Sequence, residues 1–351
     1  MSGFVHLHNH SHYSLLDGAC RIKDLVNAAK RYHMPALALT DHGNMCGAVE
    51  FYKACKKADI KPVIGVEAYI APRSRKEKVA QKGGMADTSF HLVLLAKNLQ
   101  GYQNIMRLTS IGYLEGFYYR PRIDREVLQK YHEGIIVLSA CLKGEVAQAL
   151  LSNNYEGARQ IALDYRELFG DDYYLEIHKH GIPEEDQVRE KVIELSRELS
   201  IPLVITNDTH YLKREHSQPH DVLICLQTGK DRDDPNRLRY TTDEIYFKSP
   251  DEMKATFPHQ EEALNITEEI AKKCDLKLDF DKVHLPSFAL PEAHKQKSLD
   301  EYLEMLAYEG LRQRYKEITP ELEARLQHEL AVIKQTRYAG YFLIVQDFTR
   351  V

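Results

Sequence analysis

Seven short apolar runs, at 4–8, 36–40, 62–67, 91–96, 134–139, 173–177 and 203–206, are separated by stretches with helical periodicity. In RIKDLVNAAKRYH, residues Ile22, Leu25, Val26 and Ala29 fall at i, i+3, i+4 and i+7. That spacing gives one apolar face and predicts a helix. The stretches 44–58, 99–114, 155–169 and 184–199 read the same way, the last opened by Pro183, whose fixed φ suits a helix start. Strands alternating with helices in this manner predict βαβ units and a largely parallel sheet.

Such repeats fit either a closed barrel or an open doubly wound sheet, and the polar residues decide between them. A barrel gathers the C-terminal ends of all its strands around one mouth, whereas an open sheet uses only those beside its switch point. His8 and His10, Asp41 and His42, Glu67, Cys141, and Asp208 with His210 stand at or just past the ends of five different expected strands. The expected fold is therefore α/β, a distorted seven-stranded (β/α) TIM-like barrel followed by a mainly helical C-terminal segment. Its core covers about 1–212. A polar, turn-rich extension containing GKDRDDPNR covers 213–285, with a helix near 260–274, and a second region covers 286–351. The closing run YAGYFLIVQDFTRV is apolar and carries no cap or turn signal, the pattern of a boundary inside a larger protein. Beyond the strand and helix alternation there is no internal repeat.

Composition narrows the class. No apolar stretch approaches the roughly 20 residues that span a bilayer, and Met1 opens no signal-peptide pattern. A cytoplasmic protein with no membrane partner is expected. The six cysteines are scattered without CxxC spacing, which predicts reduced thiols. A net charge of −5 argues against coating nucleic acid by bulk electrostatics. One local basic run, RSRKEKVAQK at 73–82, could touch a phosphate backbone or serve only as a solvated loop.

Histidine changes the picture most, with 17 in the chain and four of them (His6, His8, His10 and His12) at alternate positions. Alternate side chains of an extended strand share a face. His8 and His10 can therefore hold one metal, with His6 and His12 nearby. TDHG supplies Asp41 and His42, NDTH repeats the two-residue spacing with Asp208 and His210, and Glu67 lies between apolar neighbours in IGVEAY. An unpaired carboxylate there is costly unless it meets a cation. Imidazoles, carboxylates and the Cys141 thiol together suit zinc, manganese or iron better than calcium or a lone magnesium. Two or more such metals activate water at neutral pH and neutralise charge on a phosphoryl group, so phosphoester hydrolysis is the expected chemistry. No P-loop, GxGxxG or Ser-His-Asp order competes with it.

HLHNHS, SLLDG, TDHG, GVEA and NDTH, in this order, resemble the polymerase-and-histidinol-phosphatase (PHP) family. ALTDHGNMCGAVEFYKA, KPVIGVEAY, LLAKNLQGYQNIMRL, YLEGFYYRPRID, ITNDTHYL and YFLIVQDF extend the resemblance over the whole chain, to the N-terminal part of bacterial C-family replicative DNA polymerases. The resemblance implies a PHP-type barrel domain over 1–285 and the truncated start of a polymerase palm region over 286–351. It also implies metal ligands at His8, His10, Asp17, His42, Glu67, His91, Cys141, Asp208 and His210, with His8, His10, Glu67, Asp208 and His210 as the catalytic set. Asp17 and Cys141 stand where stand-alone phosphatases often carry histidine, and the soft thiolate tilts the preference toward zinc. His91 falls at the start of its expected strand, unlike the others. His6, where many relatives have aspartate, and His12 are candidates to steady the ligands from behind.

The implied cofactors are two to three divalent metals, zinc foremost, with manganese or iron as alternatives. The implied activity is 3′–5′ exonuclease proofreading on the 3′ end of a DNA primer, with strand contacts from the loop near Arg73 and from Arg120 and Arg122. Implied partners are DNA, the remainder of the polymerase chain, an exonuclease subunit and other replisome subunits. The polymerase's own magnesium-binding carboxylates and Gly-rich nucleotide-binding stretch fall beyond residue 351 in the family, so DNA synthesis by this chain is not expected. The connection 71–90 is too short for the exonuclease domain inserted in Gram-positive relatives. Two other functions fit the same site: a metal-stiffened scaffold that supports the polymerase and docks an exonuclease subunit, and a stand-alone histidinol-phosphatase-like phosphomonoesterase.

Overall fold

In the computed structural model, which describes residues 3–78, 89–282 and 286–350, eight strands form one sheet. They are β1 (Ala36–Leu39), β2 (Lys61–Ile70), β3 (Phe90–Ala96), β4 (Phe117–Tyr118), β5 (Arg120–Ile123), β6 (Ile135–Leu138), β7 (Tyr173–Ile177) and β8 (Leu203–Ile205). β1 lies parallel to β2, and β6, β7 and β8 run parallel to one another. β3 runs antiparallel to both its neighbours, β2 and β6. Parallel neighbours need a long crossover, normally a helix. Among the described residues between β2 and β3 there is no helix, as the antiparallel pairing of these two strands allows.

The expected first strand, 4–8, is extended but forms no continuous ladder. Ala38 N–H donates to His6 O at 3.0 Å and Thr40 N–H to Asn9 O at 3.0 Å, while His10 N–H donates to Thr209 O at 2.8 Å and Thr209 N–H to His8 O at 3.2 Å. The segment thus joins β1 to the residues after β8 and closes the barrel wall. Its ladder is sparse because the chain bends at His8 and the Asn9 amide takes over two acceptors, His6 O at 3.1 Å and Ala38 O at 3.0 Å.

The helices α1 (Ile22–Arg31), α2 (Ala48–Ala58), α3 (Leu99–Leu114), α4 (Arg125–Lys130), α5 (Glu145–Leu151), α6 (Tyr155–Phe169) and α7 (Pro183–Leu199) pack outside the wall. α2 starts later than residue 44 because the Asn44 amide is bound to Tyr13 O and His42 O, which holds 44–47 as a turn. α4 and α5 escape the sequence pattern because neither is long enough to show a period. After β8 come α8 (Ser217–Thr228), α9 (Pro250–Thr256), started by a capping box between Ser249 and Glu252, and α10 (Glu261–Lys273).

Inside the wall, Val5, Leu7, Val63, Val93, Leu95, Leu138 and Val204 form a sealed cluster that Ile270 and Ala271 of α10 also join. α10 lies under the barrel: Asp275 N–H donates to Lys97 O, just past the end of the reversed β3. That floor leaves the opposite end as the only place where strand ends can converge on a site. Each such Val or Leu contributes about 1.5–3 kcal/mol of hydrophobic stabilisation when fully buried.

These elements lie in one compact unit, Met1–Leu278; the remainder, Asp279–Val351, forms a second. The second holds α11 (Leu299–Arg314), α12 (Pro320–Thr336) and α13 (Ala339–Arg350), with Tyr302, Ala339 and Leu343 as the buried side chains of these helices. Among the described residues no helix is long and apolar enough to cross a membrane.

Candidate metal centre

Glu67 is the hub of the mouth. It sits near the middle of β2 with 1% of its surface exposed. Its Oε1 lies 2.7 Å from His91 Nδ1 and 3.4 Å from His8 Nε2, and its Oε2 lies 2.7 Å from His42 Nδ1 and 3.2 Å from His10 Nε2. Asp208 approaches from the segment after β8, its Oδ1 3.1 Å from His10 Nε2 and 3.3 Å from His8 Nε2. Asp17 Oδ2 is 3.3 Å from His42 Nε2, and Asp17 Oδ1 is 3.7 Å from His210 Nε2. Cys141 Sγ lies 3.9 Å from both Glu67 Oε1 and His91 Nδ1.

The antiparallel β3 resolves the position of His91. Because the strand runs downward, its first residues lie at the same end as the last residues of the parallel strands. Tyr69 pairs with His91, which brings the imidazole against Glu67.

Three of the rings are held from behind in one orientation. His8 Nδ1–H donates to Glu176 at 2.8 Å, His10 Nδ1–H to Ser14 Oγ at 3.0 Å and His210 Nδ1–H to Asp208 O at 2.8 Å. In each case Nε2 is left to face the centre, the arrangement that prepares a histidine to ligate a metal when that nitrogen carries no proton. Ser14 is itself fixed by donating to Asp41 Oδ1 at 2.7 Å, and Asp41 also accepts from Ser11 N–H at 2.6 Å. Asp41 therefore braces the loop rather than facing the centre. The backbone is strained where two of the candidate ligands are presented: Asp208 has φ 41° and Ala140, just before Cys141, has φ 66°.

Electrostatics follow from this crowding. Burial penalises Glu67, but the imidazoles of His91, His42 and His8 outweigh it and hold the carboxyl well below its ordinary range. His8 is held well above its ordinary value, because Asp208, Glu176 and Glu67 overcome the cost of burial. His42 is raised likewise by Tyr69, Glu67 and Asp17 against burial. Burial pulls His210 down to about 4 and also lowers His91. The Cys141 thiol is pushed well up by burial and by Glu67 and Asp208. Such a thiol ionises only beside a cation.

The donor set fits divalent metals. His91 Nε2 is buried without a hydrogen-bond partner, and His8 Nε2, His42 Nδ1 and Glu67 Oε2 are crowded against oppositely charged neighbours without good hydrogen-bond geometry, a costly state that a cation would relieve. Three overlapping groups, His8 with His10, Glu67 and Asp208, His42 with Glu67 and His91, and His10 with His42 and His210, each converge with ligand atoms within 4.8 Å of one another.

Other sequence candidates lie elsewhere. His6 turns away from the mouth, its Nε2–H donating to Lys248 O at 2.8 Å and its ring 4.3 Å from Phe247. The bend at His8 breaks the alternation that would have aligned it. His12 is exposed beside Cys20 O. In the basic run, Arg75 is buried against Asp124, Glu115 and Glu126, and Arg73 pairs with Glu77. The part at 79–82 lies outside the described residues. Arg122 is buried and donates to Glu77 O at 2.7 Å, so of the two arginines near 120 only Arg120 borders the mouth.

Glu176 went unrecognised in the sequence, although it offers the same signal as Glu67, a carboxylate between apolar neighbours of a strand (YYLEI). Besides His8 it accepts from His178 Nε2–H at 3.1 Å and from Thr206. His8 and the His178 ring outweigh burial and bring its pKa down to about 2. Tyr240 was also missed. Its hydroxyl stands 3.3 Å from Asp17 Oδ1 and 3.4 Å from His210 Nε2, and no period or motif marks it.

The PHP domain family model matches residues 6–180, and the model described as bacterial DNA polymerase III alpha NTPase domain matches residues 301–351. DNA polymerase III subunit alpha of Borreliella burgdorferi is 48% identical over 99% of this chain and 30% of its own length. The same subunit of Treponema pallidum is 46% identical over 98% of this chain and 29% of its own. That of Thermus aquaticus is 39% identical over 98% of this chain and 33% of its own. The chain thus spans about 30% of the length of the first of these relatives, and with its PHP domain it belongs to the bacterial DNA polymerase III alpha-subunit family.

Proposed function

We propose that the mouth of the barrel is a metal-dependent phosphodiesterase that trims the 3′ end of DNA in the 3′–5′ direction, within a cytoplasmic replicative polymerase. The observation that carries this reading is Glu67, sealed from solvent and shared by four imidazoles. His8, His10, Asp17, His42, Glu67, His91, Cys141, Asp208 and His210 would hold two to three divalent ions, with the Cys141 thiolate favouring zinc over manganese or iron. Bound there, the ions would supply activation of water and stabilisation of charge on the phosphoryl group. Glu176, Ser14 and Asp208 O keep His8, His10 and His210 aimed at the centre. Tyr240, whose phenol burial and Asp17 hold well above its ordinary pKa, stays protonated and donates to an anionic substrate oxygen. Beyond this site, the reading includes DNA, the remainder of a polymerase chain and replisome subunits as partners.

The test is incubation of the zinc- or manganese-loaded chain with 3′-labelled single-stranded DNA, beside its His10→Ala and Asp208→Ala variants. Progressive shortening that both variants abolish together with bound metal is expected. No shortening with either metal sinks the reading, and turnover of a phosphomonoester but not of DNA transfers it to a phosphatase.

One observation favours a second reading, in which the metals only brace a scaffold for the polymerase and a separate exonuclease subunit. The facing side chains come from positions as far apart as 8 and 210, so a bound ion would tie the first wall segment to the last. Unfolding on chelation without any nuclease activity would favour it.

A further inference from the structure

A patch of exposed rings lies beside the metal centre. Leu15, Tyr113, Phe117 and Tyr119 are 77%, 48%, 48% and 61% exposed. Together with Arg120 they line a cleft of about 170 Å³ whose walls also include Asp17 and His42. Clustered exposed apolar surface of this kind marks an interaction site. The cleft is continuous with the centre through rings: His42 stacks on Tyr69 at 6.0 Å and 24°, and the Arg120 guanidinium lies 5.6 Å from the Tyr69 centroid. Among the described residues Arg120 forms no ion pair, so its charge is available to an anion.

The turn adds an independent observation. β4 and β5 pair Phe117 with Pro121 and Tyr118 with Arg120, which leaves Tyr119 alone at the tip with φ 58°. A turn in this region of backbone favours glycine or asparagine, and a bulky aromatic there is strained. The strain is retained together with a ring that meets the Tyr118 ring edge-on at 4.7 Å and otherwise faces solvent. Nearby, the rings of Tyr113 and Phe117 are nearly parallel, 6.2 Å apart and inclined by 22°.

We propose that this aromatic patch is a stacking platform for unpaired bases at the 3′ end of single-stranded DNA, with Arg120 meeting the adjoining backbone phosphate. Flat faces accept any base, as an enzyme that removes whichever nucleotide is terminal requires, and one cation beside them tracks the backbone. A protein partner would use the apolar area equally well, but would not need a free cation beside the ligands Asp17 and His42. The inference rests on the hydrolytic reading of the centre and names how that centre would receive its substrate.

The experiment uses the zinc-loaded chain and a fluorescein-labelled oligothymidylate whose last linkages are phosphorothioate, which resists cleavage. A second oligomer lacks the two 3′-terminal bases. The native chain should bind the first at least about tenfold more tightly than the second, as loss of base stacking implies. Phe117→Ala and Tyr119→Ala should each erase most of that difference, with zinc content and melting temperature unchanged. Equal binding of both oligomers by the native chain, or a preference that survives both substitutions, overturns the proposal. So does a result in which the substitutions instead dissolve a dimer seen by sedimentation. The two readings fail separately. A base preference without shortening of an all-phosphodiester oligomer removes the hydrolytic reading alone, and shortening without a base preference removes the platform alone.

Discussion

Val63 and Glu67 lie on one face of β2, four residues apart and both sealed from solvent, yet they occupy opposite kinds of interior. Around Val63 the barrel is a dry cluster of Val, Leu and Ile closed below by α10. Around Glu67 it is a knot of imidazoles and carboxylates in which several buried atoms are crowded together without hydrogen-bond geometry. The lower half is complete as it stands, since apolar packing asks for nothing further. On the proposed reading the upper half is complete only when a cation draws these crowded atoms together. One wall would then carry a self-sufficient floor and a mouth whose stability depends on a bound ion, and the two halves should respond differently to the same perturbations.

The largest effect should come from the floor. Leu95→Ala empties a site with no exposed surface inside the apolar cluster and should cost about 2–5 kcal/mol. Urea unfolding of metal-loaded and chelated protein should show nearly the same loss. A loss that depends strongly on metal would mean that the two halves do not separate.

Chelation comes next and should act on the mouth alone. If zinc is present at about 100–1,000 times its dissociation constant, its removal should lower stability by about 3–4 kcal/mol. Calorimetric melting should then fall with chelator and recover on adding zinc, in the native chain and in Leu95→Ala alike. An unchanged melting temperature after confirmed loss of metal would show that the mouth holds itself together.

The same division explains what could be read from the sequence. Glu67 was legible because a carboxylate flanked by Val66 and Ala68 breaks an apolar strand, and a local pattern records that. Glu176 carries the same local signal, but its role lies in a hydrogen bond to His8 across 168 positions, which no short pattern reports. His91 was misaligned with strand ends because strand direction is a property of the sheet, and only the antiparallel pairing of β3 brings it upward. The alternation of His6, His8, His10 and His12 promised a shared face, and a bend at His8 divided it. The longer helices outside the barrel, α1, α3, α6 and α7, were legible almost to their ends because a period of 3.6 over about three or more turns is redundant. The β4–β5 hairpin was not, since two strands of two and four residues leave no period to detect.

A smaller effect should come from behind the ligands. Glu176→Gln keeps size and hydrogen bonding but removes the charge that fixes the His8 tautomer, and loss of such a contact typically weakens metal binding about 10- to 100-fold. Competition against a chromophoric zinc chelator would measure it. Unchanged affinity would mean that Glu176 serves only to pack the mouth.

The smallest effect is a pH dependence, and its sign follows from the metal-free site. His8 and His42 are held well above their ordinary pKa and the Cys141 thiol well above its own, so without metal these groups retain protons at neutral pH. Ligation requires the lone pairs, and metal uptake must therefore release protons. Each proton released weakens binding by about tenfold, or about 1.4 kcal/mol, for every unit by which pH falls below the relevant pKa. Zinc affinity should accordingly rise with pH across the neutral range, and titration calorimetry in two buffers of different ionisation enthalpy should give heats that differ by the protons released. In the floor nothing comparable titrates, so the stability lost in Leu95→Ala should be the same at each pH. Heats identical in both buffers would show that the imidazoles and the thiol already stand deprotonated, and the mouth would then be as self-sufficient as the floor beneath it.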